Sequence, residues 1–144
     1  MSEAKKRTNS FQYLNKYPNF QRKRLKSLLR RPTKPEAQLA RLVRRNKLPY
    51  RYVGDGSVII GKLNPDFIHN NGKKKVIEAF GRIYHDPDAS FFPIDWKRQP
   101  FGRISYYAQF GYGCLILWDD ELEDEERVIE KIKQFEVEWK QEWP

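Results

Sequence analysis

Asp66 and Glu78 are the side chains whose types and spacing best suit chemistry in this chain. Asp66 stands in Asn64-Pro65-Asp66-Phe67, and Glu78, twelve residues later, in Val76-Ile77-Glu78-Ala79-Phe80. Between them Asn70-Asn71-Gly72 reads as the turn of a hairpin joining Pro65–His69 to Lys75–Phe80. Adjacent antiparallel strands can present side chains to one face, which makes the two carboxylates neighbours. Two carboxylates that close repel unless a proton or a cation separates them. A hard divalent cation such as Mg²⁺ accepts one or two carboxylates and keeps waters for a substrate phosphate. His85, just beyond Gly81-Arg82-Ile83-Tyr84, is of a type that moves protons near neutral pH. With Lys73, Lys74 and Lys75 at the turn, this constellation predicts metal-assisted cleavage of a nucleic acid.

Each residue also has a plainer reading. An aspartate after proline is usually a turn or capping residue, but Asp66 opens a strand and has Glu78 as neighbour. Glu78 has apolar residues on both sides, where a merely exposed glutamate is out of place. His85 precedes Asp86, a carboxylate able to orient it, whereas His69 reads as a surface residue at the strand end. Glu36 is sufficiently explained as a glutamate in the first turn of a helix.

The charge distribution names the partner. The net charge is +9, yet residues 1–34 hold eleven Lys/Arg against Glu3 alone, a net of +10. Residues 35–144 hold seventeen Lys/Arg against eighteen acids, a net of −1. A basic first quarter neutralises phosphates by counterion release, giving salt-sensitive, sequence-independent affinity. Tyr13, Tyr17 and Phe20 among those bases favour nucleic acid over a solubilising tail. An anionic membrane surface ranks behind because the apolar face is short. The residues expected to hold the backbone are Lys5, Lys6, Arg7, Arg22, Lys23, Arg24, Arg30 and Arg31, joined by Arg41, Arg44 and Arg45. No apolar run approaches the roughly 20 residues that cross a bilayer, and no signal segment follows Met1. The single Cys114 excludes an internal disulfide framework and a cysteine zinc site, so no structural zinc is expected. The expected compartment is the cytoplasm, in association with the nucleoid or in a phage-infected host.

Elements to position these groups follow from pattern. A helix is predicted over 20–31 with Leu25, Leu28 and Leu29 as its stripe. Thr33-Lys34-Pro35-Glu36 starts a second that runs to about Asn46, burying Leu39, Leu42 and Val43. Strands are predicted at Tyr50–Val53 and Ser57–Ile60, either side of a Gly54-Asp55-Gly56 turn, then in the hairpin. Residues 86–100 carry three prolines and read as an irregular loop. Its Phe91, Phe92 and Trp96 either wedge among bases or pack on the sheet. Gly102–Phe110 reads as a helix ended by Gly111, and Cys114–Trp118 as a buried strand. A last helix places Val128, Ile132, Phe135 and Trp139 on one face. Two units result: a basic arm and short helix over 1–32, and a domain over 33–144.

From Pro35-Glu36 through Asn64-Pro65-Asp66-Phe67, Ile77-Glu78-Ala79-Phe80-Gly81, Tyr84-His85, Phe110-Gly111-Tyr112 and Leu115-Ile116-Leu117-Trp118-Asp119-Asp120-Glu121-Leu122, the chain resembles the very-short-patch-repair-like endonucleases. That group belongs to the PD-(D/E)xK nuclease superfamily and includes phage and homing-type members with an E-D-x-H-D site. The resemblance spans about residues 33–135. It implies an α/β fold, a restriction-endonuclease-like αβββαβ core with a mixed central sheet, here with a basic N-terminal helical extension. It also implies Mg²⁺-dependent hydrolysis of DNA phosphodiesters, with Mn²⁺ as an alternative metal. Asp66 would then be the principal metal ligand, Glu78 the second acidic position, Glu36 the helix-borne acid and His85 the proton-transfer group. Phe80 stands where the lysine of an E-x-K pattern would fall, and the final acid has three counterparts, Asp86, Asp88 and Asp95. The expected partner is duplex DNA, bound by a monomer or homodimer, with nicking of one strand as one outcome. A non-catalytic DNA-binding module and an RNA-processing nuclease are the alternatives.

Overall fold

In the computed structural model the described residues are 32–142, with side chains described as far as Val137. The helix predicted over 20–31 and the basic residues from Lys5 to Arg31 lie outside them, as does the Trp139 side chain.

Helix α1 (Lys34–Arg45) begins where the sequence requires. Thr33 accepts from the Glu36 amide, and the Glu36 carboxylate accepts from the Thr33 amide at 2.8 Å, a reciprocal cap. Leu39, Leu42 and Val43 are buried, as their spacing predicts. Strands β1 (Tyr50–Tyr52), β2 (Phe67–His69) and β3 (Lys75–Phe80) follow, then a one-turn helix α2 (Arg82–His85). A 3₁₀ turn at Trp96–Arg98 leads into α3 (Pro100–Ala108), then β4 (Gly113–Trp118), a second 3₁₀ turn at Glu121–Glu123, and α4 (Glu125–Glu142).

The sheet runs β1-β2-β3-β4, with β1, β2 and β3 antiparallel and β4 parallel to β3. It is the mixed sheet expected. β3 is buried at all six positions, because helices cover both of its faces. On one face, Ile77, Ala79, Phe67 and Leu117 pack with Leu39 and Leu42 of α1 and Val128 and Ile132 of α4. On the other, Val76 packs with Tyr107 of α3 and Ile60. Odd-numbered β3 residues thus meet α1 and α4, and even-numbered ones, Glu78 among them, meet α3.

Three expectations need correction. Ser57–Ile60 forms no strand; Asn64 donates its side-chain amide to the Val53 and Val58 carbonyls, and only an Ile60–Leu63 bridge remains. His69 is buried, 3% exposed, edge-on to Tyr50 and 3.3 Å from Glu136 of α4. Lys75 is not at the turn but fully buried in β3, its ammonium donating to the Glu136 carbonyl at 2.9 Å. His69, Lys75 and Glu136 form a polar contact that fastens α4 to the sheet, which a reading of charge as solvated surface cannot foresee. No helix among the described residues is long and apolar enough to cross a membrane.

Candidate active site

β2 and β3 bring the two hairpin carboxylates together. Phe67 pairs with Ile77, so the next rung of the same register sets Asp66 opposite Glu78. Backbone amides complete the junction. The Asp66 amide donates to Glu78 Oε1 at 3.0 Å, and the Ala79 amide donates to Asp66 Oδ2 at 2.8 Å. Glu36 joins from the first turn of α1, where the Tyr52 hydroxyl donates to its Oε2 at 3.3 Å. All three acids are buried, at 3%, 7% and 2% exposure for Glu36, Asp66 and Glu78.

Burial, then the charge of Glu78, then that of Glu36 hold the Asp66 carboxyl well above the usual carboxylate range. Glu78 is raised less decisively, because burial is opposed first by Arg103 and then by two hydrogen bonds. The Arg103 guanidinium donates to Glu78 Oε2 at 2.7 Å, and the Tyr107 hydroxyl to Oε1 at 3.2 Å. Arg103 and Tyr107 are the residues that sequence reasoning missed. One signal was present: they stand four apart on the predicted helix, hence on one face, and an arginine in Pro-Phe-Gly-Arg-Ile-Ser-Tyr-Tyr needs an acid to meet.

His85 closes α2, and its ring stacks on Phe80, with centroids 3.7 Å apart and planes 10° from parallel. Its Nδ1 lies 2.8 Å from the Arg98 carbonyl. A carbonyl only accepts, so Nδ1 carries the hydrogen and Nε2 keeps its lone pair. Burial pushes the imidazole down to about 4, against the Arg98 hydrogen bond and with the charges of Arg103 and Arg98. His85 is therefore neutral at neutral pH, in the tautomer of a proton acceptor.

The candidates for a final acid separate. Asp86 pairs with Arg82 at 3.2 Å and caps the Asp88 amide, while Asp88 and Asp95 are exposed. Asp119, which follows β4, has its amide bonded to the Phe80 carbonyl, and its Oδ2 is 3.8 Å from where a Cβ on Gly81 would stand. On α1, Arg41 and Arg44 are exposed, whereas Arg45 is paired to Glu125 at 2.7 Å. The loop aromatics do not pack on the sheet: Phe91 is 88% exposed and Phe92 78%.

The fold has a solved counterpart. It is similar to that of the catalytic domain of the homing endonuclease I-Bth0305I. The likeness has a TM-score of 0.54 and 23% identity, and covers 74% of this chain and 97% of that one. It confirms the α/β architecture with its mixed sheet. No family model and no curated protein matches the chain.

Among the described residues no three His, Cys, Asp or Glu side chains are gathered into a metal cage. Asp66 nonetheless stands opposite Glu78, Glu36 acts on both through its charge, and Arg103 offsets Glu78 directly, so Asp66 is left raised among acidic neighbours. That suits a hard cation taking one or two carboxylates and keeping waters and substrate oxygens, rather than an all-protein cage.

Proposed function

We propose that this chain is a divalent-metal-dependent endonuclease that hydrolyses DNA phosphodiester bonds. The observation carrying the proposal is the buried Glu36–Asp66–Glu78 cluster, linked through Arg103 and Phe80 to a histidine held neutral with its Nδ1 committed to a carbonyl. Asp66 is the residue that would hold Mg²⁺ or Mn²⁺, with Glu78 and Glu36 as the neighbouring acids. The cation, when bound, supplies positive charge at a phosphate and acidifies a water.

The chain's own residues do the rest. His85 takes a proton at Nε2, since Nδ1 is committed to Arg98. Phe80 backs the His85 ring and fixes its plane. Arg41 and Arg44, with the basic residues 1–31, contact phosphates and set register without reading sequence. Tyr84, Phe91, Phe92, Trp96 and Phe101 are exposed aromatic side chains on α2, α3 and the segment between them, of a kind suited to stacking on bases. The likeness to a homing endonuclease catalytic domain supports this reading through the fold.

A plasmid-relaxation assay in Mg²⁺, Mn²⁺ and EDTA tests it. Nicked or linear DNA in either metal and intact supercoils in EDTA are expected. Tight, salt-sensitive binding without cutting would instead identify a DNA-binding module, and cleavage confined to an RNA substrate would move the activity to RNA.

A further inference from the structure

Glu78 and Phe80 are two apart on β3 and so face the same way, toward α3. Arg103 reaches both. Its Nη1 is 2.7 Å from Glu78 Oε2, its Nε donates to the Lys97 carbonyl at 3.0 Å, and its guanidinium carbon is 5.4 Å from the Phe80 ring centroid. The same ring carries His85, stacked at 3.7 Å, and His85 is tied to the Arg98 carbonyl, one residue beyond the Lys97 carbonyl that Arg103 holds. The Arg103 side chain is only 13% exposed, so it is built into the molecule rather than lying on its surface.

We infer that Arg103 is the positioning residue that joins the acidic cluster to His85: it grips Glu78, packs on Phe80 and holds the Trp96–Arg98 turn whose carbonyl orients the imidazole. The charged groups acting on His85 are Arg103 of α3 and Arg98 of the 3₁₀ turn. Both are cations, and Phe80 of β3 supplies an apolar face. Loss of the Arg103 contacts therefore loosens the ring and removes one of the two charges that keep it unprotonated.

The inference rests on the nuclease reading only for its catalytic consequence, so its test has a readout that needs no cleavage. His69 and His85 are the two histidines, and a His85→Asn variant assigns the His85 ring signals in a proton NMR spectrum. In the full chain, Arg103→Gln is expected to shift the His85 ring protons downfield as the Phe80 ring current is lost, and to move their titration midpoint upward from about 4. The His69 signals are expected to stay in place. Arg103→Lys, which keeps the charge but not the fork, is expected to retain a low midpoint while weakening the stack. Arg103→Lys also decides the matter if Arg103→Gln does not fold: a His85 ring that keeps its full upfield shift in that variant would overturn the inference. His85 shifts and midpoint unchanged in the folded variants would overturn the inference. A wild-type chain that cuts no DNA would overturn the nuclease reading and leave the NMR result to decide on Arg103.

Discussion

At the scale of single residues, Asp66 is a buried acid whose surroundings disfavour its charged form. Burial and two acidic neighbours raise its carboxyl, and an acid raised in the folded state opposes folding when ionised. The stability it costs is absent below its unfolded pKa, grows as pH rises from there to the raised folded value, and is fully present above it. Asp66→Asn keeps the shape and removes the charge. Without divalent metal at neutral pH it is expected to raise Tm by roughly 4 °C, the shift that about 1 kcal/mol gives a domain of this size. Thermal unfolding in EDTA at several pH values checks this: the gain should shrink as pH falls, and a Tm below wild type at neutral pH would contradict it. Asp66 and Glu78 were legible in the sequence because a period of two and a short turn leave few ways to pair the strands. Arg103 was not, because its partner lies 25 residues earlier on another element and only packing brings the two together.

At the scale of elements, the placement of His85 depends on two short pieces that local pattern does not specify. α2 is one turn long, and the Trp96–Arg98 turn interrupts a stretch read as irregular loop. Neither has a run of residues long enough to show a period. Gly102 is what lets α3 pack against that 3₁₀ turn, since a Cβ there would stand 1.8 Å from the Trp96 carbonyl oxygen. Gly102→Ala is therefore expected to destabilise the domain by about 1–3 kcal/mol through overpacking. It should also displace the Arg98 carbonyl from His85. Urea unfolding measures the first effect and the His85 ring signals the second; a variant of wild-type stability with an unmoved His85 would refute the account of this glycine. α1 behaves in the opposite way. Its cap, proline and buried stripe were all written in consecutive residues, and the helix forms over Lys34–Arg45 as they predict.

At the scale of the whole molecule, charge and chemistry are separated along the chain. The described residues 32–142 hold the acidic cluster, and the excess positive charge stands in residues 1–34. Deleting residues 1–31 is expected to weaken DNA binding and flatten its dependence on salt, as fewer phosphates are neutralised. Equal affinity and equal slope in a fluorescence-anisotropy titration would show that those bases do not bind. The fold class was legible because alternation of strand and helix patterns admits few architectures. The buried polar contact of His69, Lys75 and Glu136 was not, since a sequence reading assigns charged residues to solvent. The central claim, that the Asp66 cluster cleaves DNA, is met most directly by comparing wild type with Asp66→Ala. Single-turnover cleavage of supercoiled plasmid in Mg²⁺ is measured beside affinity for the same DNA without metal. Cleavage lost by a factor of about 100 or more, the scale of removing an essential catalytic contact, with affinity nearly intact, is the predicted result. Undiminished cleavage by Asp66→Ala would contradict it.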